Sequence, residues 1–393
     1  MDQDQGRFFS VVDRFPPLAF PFRVFFLSSA LAGAVLVPVW LWAWTRGVDT
    51  LALPPLLWHQ HEMLAGFLNA AIAGFLLTAV CNWTGTAPVA GRRLLALWLL
   101  WLAGRVAMAA GGAFPLPAAL VDLAFMPLVM LSVGRRIWWA RQRRQMVLLG
   151  VLAAFWGLDL LFHWTGQPRF LHALVLLTAA LILIIGGRIT PAFTANWLRQ
   201  QGDDPARVRR RPGLDRAGLV AALALVVLEA GGWTAPVLVA PLAGVAALLA
   251  LWRLAGWAGW RTRAEPLLWI LHLGHLWVVV GLLLRALAAV SPVPPTAWLH
   301  ALGAGAMGTM ILGVMTRVAV GHTGRPLRLR RGGLWIYGLV LVAGIVRVLV
   351  ALGWAPMMAG LWLAALGWSA ALLLFLAVYG GILCTPRADG RPG

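Results

Sequence analysis

The stretch from Trp58 to Gly85 reads WHQHEMLAGFLNAAIAGFLLTAVCNWTG. Past its two histidines and single glutamate it continues as an apolar segment, close to the roughly 20 residues a helix needs to cross the hydrocarbon core of a bilayer. Gly66, Ala70 and Gly74 recur at a spacing of four, a stripe of small residues along which a second helix packs closely. Glu62 falls in line with that stripe, so it faces protein rather than lipid, where a carboxylate is costly. Pro54 and Pro55 precede the segment and leave two arrangements for its histidines. In extended chain His59 and His61 both turn toward one metal; inside a helix they point about 200° apart.

Outward from this stretch the pattern repeats. The chain has 393 residues, 61% of them hydrophobic and only 11% charged, with a mean hydropathy of +0.83. Such a composition has the bilayer as its solvent. Apolar runs between Pro, Gly and Arg punctuation predict spans near 22–44, 59–82, 94–112, 116–134, 146–164, 169–189, 215–231, 235–255, 266–289, 296–318, 333–353 and 357–383. The expected fold is an all-α membrane protein, a bundle of about twelve transmembrane helices. Residues 1–393 are expected to form a single polytopic membrane domain, with short tails at 1–21 and 384–393 and no removable signal peptide.

All 32 basic residues are arginine, and the formal net charge is +19. The arginines sit in short connections rather than on one face, which argues against nucleic-acid binding. They sort by parity: the even connections hold Arg92 and Arg93, Arg135 to Arg144, Arg199 to Arg211, Arg261 and Arg263, and Arg325 to Arg331, whereas the odd ones hold almost none. By the positive-inside rule both termini and the even connections of this multi-pass chain are expected in the cytoplasm. Cys81 and Cys384 then fall on the reducing side, and no disulfide is implied.

Histidine carries the chemistry. His59, His61, His163, His172 and His300 lie at the outer ends of the second, fifth, sixth and tenth spans, and His272 and His275 lie one turn apart in the ninth. Imidazoles on neighbouring helices of a bundle build a haem or copper site without a local motif, although a single histidine at a membrane edge is more often satisfied by water and headgroups. Glu62, one turn from His59, either orients that imidazole or passes protons, or pairs with Arg105 or Arg347. Asp122, Asp159 and Glu229 read as caps or counter-charges, and Met307 and Met310 as packing. Leu171-His172-Ala173-Leu174 and Leu299-His300-Ala301-Leu302 open the sixth and tenth spans, which Arg188 and Arg317 close, hinting at a repeat of four helices. Gly186, Arg188 and Pro191 predict a break at the end of the sixth span. Arg317, His322 and Arg325 are read as helix caps or as contacts to lipid phosphate or haem propionates. No CxxCH motif is present, so any haem is non-covalent.

Three blocks resemble the NnrS family. They are W-H-x-H-E-M-L-x-G-F with A-x-x-G-F-L-L-T-A-V-x-N-W-T-G from Trp58, G-R-x-x-P-x-F-T from Gly187, and G-x-x-G-T-M-x-L-G-V-M-T-R-V-x-x-G-H-T-G-R-P-L from Gly305. The resemblance implies a bacterial inner-membrane protein containing haem and copper, tied to denitrification and to the response to nitric oxide and nitrosative stress. The family's motif residues correspond to His59, His61, Glu62, His300 and His322, with Arg188 and Arg317. Cys81 stands where the family often has a proline. With the resemblance, the expected cofactor-binding set is His59, His61, His172, His272, His300, Arg188 and Arg317, with metal on His59, His61, His272 and His300 and Glu62 behind them. The expected partners are nitric oxide or a related small ligand and the lipid bilayer. A redox enzyme resembling haem-copper oxidases is one alternative, against which the seventh span has no His-His pair and the only tyrosines are Tyr337 and Tyr379. A secondary transporter is the other.

Overall fold

The computed structural model describes residues 15–48, 51–110, 112 and 115–391, so residues 1–14 of the expected N-terminal tail lie outside the described residues. Twelve long helices and no strand occur among the described residues. They are α1 (Pro21–Arg46), α2 (Pro55–Thr84), α3 (Gly91–Ala110), α4 (Pro115–Trp139), α5 (Met146–Thr165), α6 (Pro168–Gln200), α7 (Pro212–Gly231), α8 (Pro236–Ala255), α9 (Pro266–Val290), α10 (Pro295–Gly321), α11 (Gly333–Ala351) and α12 (Met357–Leu383). Eleven are long and apolar enough to cross a membrane. The exception is α7, whose Asp215, Arg216 and Glu229 make it too charged to qualify by composition. Proline opens α1, α2, α4, α6, α7, α8, α9 and α10, where its fixed φ suits the first helical position and its missing N–H costs nothing. At the far end of α2, Gly85 takes φ +66° and its N–H closes on Cys81 O.

The helices sort into two compact units. The first comprises residues 1–163, 318–327 and 375–393. Its core is aromatic: Phe22, Phe25, Phe26, Phe67 and Phe162 are all but fully buried. Gly74 of α2 lies against the Phe25 and Phe26 side chains of α1, as the small-residue stripe requires. Arg23, also buried, donates to the carbonyls of Leu383 (2.8 Å) and Thr385 (2.7 Å), satisfying groups that the end of α12 leaves over. The second unit comprises residues 164–317 and 328–374. There Gly305 packs on Trp277 and Gly308 on Trp368, and Thr316 and Tyr337 share a 2.6 Å hydroxyl contact.

Three helices widen locally. Glu62–Leu68 in α2, Ile182–Gly186 in α6 and Ala301–Met307 in α10 are π-helical, a spacing of four helices that coincides with the repeat hinted at in the sequence. A π turn leaves carbonyls without their usual i+4 partner, and here side chains take several of them. Trp101 Nε1 donates to Gly66 O (3.1 Å), Ser29 Oγ to Phe67 O (2.9 Å) and an Arg253 amine to Leu183 O (2.8 Å). The break expected at the end of the sixth span is absent. Helix α6 continues through Pro191 to Gln200, because the π turn just upstream absorbs the distortion that the proline imposes. In α4 the helix breaks at Ala124, three residues before Pro127; the ring of Pro127 displaces the Leu123 carbonyl, which Trp156 Nε1 takes up at 3.0 Å.

Close packing at Gly74 gives a test. A Cβ there would lie 2.9 Å from the Phe26 ring, so Gly74→Val is expected to cost about 1–3 kcal/mol. Gly338→Ala, whose Cβ meets nothing within 4 Å, should be neutral. Thermal aggregation midpoints in detergent read both.

Candidate metal centre

Helix α2 begins at Pro55, so His59 and His61 are both inside it and point apart. His59 is half-buried and stacks on Trp40, with ring centroids 4.2 Å apart and 24° between planes. His61 is fully buried and turns into a group of charged side chains supplied by four consecutive helices. The two histidines therefore do not chelate one ion together.

Around His61 converge Glu62 from α2, Arg105 from α3, Asp122 from α4, and Asp159 and His163 from α5. His61 donates through Nδ1 to Glu62 Oε1 at 3.1 Å, and its Nε2 faces the other side of the group. That nitrogen lies 3.2 Å from His163 Nε2, 3.2 Å from Asp122 Oδ2 and 3.3 Å from Asp159 Oδ1. His163 Nε2 is in turn 3.5 Å from Asp122 Oδ2 and 3.9 Å from Asp159 Oδ1. The ligand atoms of these four residues all lie within 4.8 Å of one another. Arg105 closes the far side, donating to Glu62 Oε1 at 2.5 Å and contacting Asp122 Oδ1. Glu62 pairs with Arg105, one of the two arginines expected for it, and it orients the imidazole of His61 rather than that of His59.

Local sequence explains the convergence. The π turn begins at Glu62, and its widened ring sets the direction of the residues after His61. Asp122 sits one residue before the Leu123 carbonyl that Pro127 displaces. Asp159 and His163 are four residues apart and share one face of α5. That Asp-x3-His spacing was the available signal for a site in α5, and reading Asp159 as a counter-charge passed it over.

The remaining expected residues lie in the second unit, apart from His322. His172 approaches Glu229 at 3.4 Å, and Glu229 accepts from Arg285 at 2.7 Å beside Trp298. His272 donates through Nε2 to Thr194 Oγ1 at 3.0 Å, because that hydroxyl already donates to Thr190 O. His275 donates through Nδ1 to Leu271 O at 2.8 Å. His300 is half-buried and donates through Nδ1 to Thr296 O at 2.7 Å. Arg188 is exposed, its carbonyl accepting from Arg210, and Arg317 lies 4.0 Å over the Phe193 ring. His322, beyond the end of α10, packs beside Phe22; burial, with Arg387 nearby, lowers its pKa and keeps it neutral at pH 7. Asp389, in the same tail, is held at about 2 by the hydrogen bonds of Arg387.

Arg105 supplies the test of this arrangement. Arg105→Met strands Glu62 and Asp122 in an apolar interior and is expected to cost about 3–5 kcal/mol, whereas adding Glu62→Gln recovers part of the loss. Thermal unfolding of the single and double variants followed by tryptophan fluorescence measures the coupling.

Comparison with curated proteins finds no match to the chain. The family model described as "NnrS protein" matches residues 16–387, nearly the full length and including every helix above, and the chain belongs to the NnrS family.

Proposed function

We propose that this multi-pass protein is an inner-membrane metalloprotein of the response to nitric oxide and nitrosative stress, in a denitrifying context, and that haem and copper are its metal groups. Family membership supports the nitric oxide role. The observation that carries the metal role is the setting of the two motif histidines. His61 and His300 each immediately precede a π turn in an apolar helix, and each is held through Nδ1, by Glu62 and by Thr296 O respectively. In each the ring is oriented from Nδ1, as the imidazoles of metal-ligating histidines commonly are. An apolar bundle also suits a small uncharged gas, which reaches a buried metal through lipid without a polar pore.

The two metal groups fit different places. Copper suits imidazole and carboxylate donors, and the centre around His61 offers both. Its donor atoms converge on a point, which suits an ion and excludes a porphyrin. A non-covalent haem would be held by His300, whose ring is oriented through Nδ1 by Thr296 O. His272 and His275 fit less well as packed: a Cβ on Gly259 would lie 2.6 Å from His272 Nδ1 and one on Gly186 would lie 2.9 Å from His275 Nε2, so both nitrogens look onto backbone. Bound at these places, the metals supply ligand binding and electron exchange; the chain's own residues orient imidazoles and exclude water.

An optical spectrum with copper analysis of detergent-purified protein, followed by nitric oxide added to the reduced form, tests the proposal. Haem with a shifted Soret band is expected, with haem lost in His300→Ala and kept in His275→Ala. Metal-free, spectrally silent protein from haem-replete cells would sink this reading in favour of a transporter.

The proposed orientation has its own test. Cys384 is exposed and Cys81 buried, so a membrane-impermeant thiol reagent should label Cys384 in inverted vesicles and not in spheroplasts. The opposite pattern would place the C-terminus outside.

A further inference from the structure

We propose that His61, Asp122, Asp159 and His163 form a four-coordinate site for one divalent first-row metal ion, with Glu62 and Arg105 as its positioning residues. This deepens the metalloprotein reading and rests on it for the presence of metal, but its ligand set comes from geometry.

The distances have the size of a coordination polyhedron. A tetrahedral ion with nitrogen and oxygen ligands at roughly 2.0–2.1 Å has ligand-to-ligand edges of about 3.3 Å. Five of the six edges here measure 3.2, 3.2, 3.3, 3.5 and 3.9 Å. An ion-pair network built only to join helices alternates donors with acceptors. This one turns four potential ligand atoms toward a common centre, His61 Nε2, His163 Nε2, Asp122 Oδ2 and Asp159 Oδ1, the last buried without a hydrogen-bond partner.

Each ligand is also held from behind. Glu62 fixes His61 through Nδ1, and Arg105 contacts Oδ1 of Asp122, leaving Oδ2 for the ion. Charge sets the valence. Three carboxylates, Glu62, Asp122 and Asp159, against one guanidinium, Arg105, leave two negative charges in a site where His61 and Glu62 have no exposure at all. One divalent cation neutralises it; a monovalent ion leaves a charge that a membrane interior does not tolerate. Nitrogen and carboxylate donors together suit Cu²⁺, Zn²⁺, Co²⁺ or Fe²⁺.

The test titrates the chelator-stripped, detergent-purified full chain with Co²⁺, whose intense visible bands in tetrahedral fields report geometry, and then displaces it with Zn²⁺. One Co²⁺ per chain with those bands is expected, together with a Zn²⁺-dependent rise in thermal midpoint. Glu62→Gln should weaken binding by about 10–100-fold, the usual effect of losing an outer partner. His163→Ala and the isosteric Asp159→Asn should weaken it further, and His300→Ala should leave it unchanged. Should His163→Ala misfold, Asp159→Asn and the wild-type spectrum still decide. Wild-type affinity retained in Asp159→Asn, or Co²⁺ bound without tetrahedral bands, overturns the ligand set. Wild-type protein that takes no ion yet carries haem and responds to nitric oxide overturns it and the copper assignment, while the haem and the nitric oxide role stand. Tetrahedral Co²⁺ lost in Asp159→Asn, in a protein indifferent to nitric oxide, supports this site and sinks that function.

Discussion

A guanidinium inside a bundle of membrane helices has to be answered by acceptors of the protein, because the surroundings offer neither water nor screening. Arg105 of α3 is answered twice, by Glu62 of α2 and Asp122 of α4. Asp122 then lies beside His61 and His163, and His163 shares its face of α5 with Asp159. One charge thus ties four consecutive helices at a single point. The apolar contacts of the first unit, such as Gly74 against Phe26, allow some choice of register because lipid competes for the same surfaces. The ion pairs allow little, since slipping a helix by one residue would strand a charge.

The π turns serve the same constraint. A widened turn costs hydrogen bonds and is rare unless something compensates. In α2 the compensation is visible, since Trp101 and Ser29 cover Gly66 O and Phe67 O. What the turn provides is an angular offset: the residues up to His61 and those after Leu68 belong to helical segments out of phase with each other. The opening of α2 can then aim His61 at Asp122 while the following segment keeps its small-residue stripe on α1. A regular helix would have to give up one or the other.

Hydropathy made most of the fold legible. The spans read from the sequence match the helices to within a few residues over most of the chain, because a membrane helix must be apolar along a fixed length. Two differences have local causes. Helix α6 runs past Gly186 and Pro191, as a π turn cannot be read from residue types, and α7 mixes charges into its span that are paired only in three dimensions, Glu229 with Arg285. The site was less legible. His61 and Glu62 stood out because they share a motif, but Asp122, Asp159 and His163 carry no motif, and nothing in the order of residues says that the start of α4 meets the end of α5. Divergence of His59 from His61 was one of two open arrangements, decided by where the helix begins.

Charge balance separates the polar cluster around His61 from the one around Glu229. In the second unit Glu229 meets Arg285 and His172, one carboxylate against one guanidinium, so the set is neutral without any ion and the imidazole only extends it. In the cluster around His61 the carboxylates outnumber the guanidinium by two, and their surplus oxygens turn toward the imidazoles of His61 and His163. An interior without water keeps such a surplus only where something positive belongs. The same ingredients, an acid, an arginine and a histidine, therefore make a strut in one unit and the proposed binding site in the other, and the difference is two aspartates placed by the break in α4 and by one face of α5.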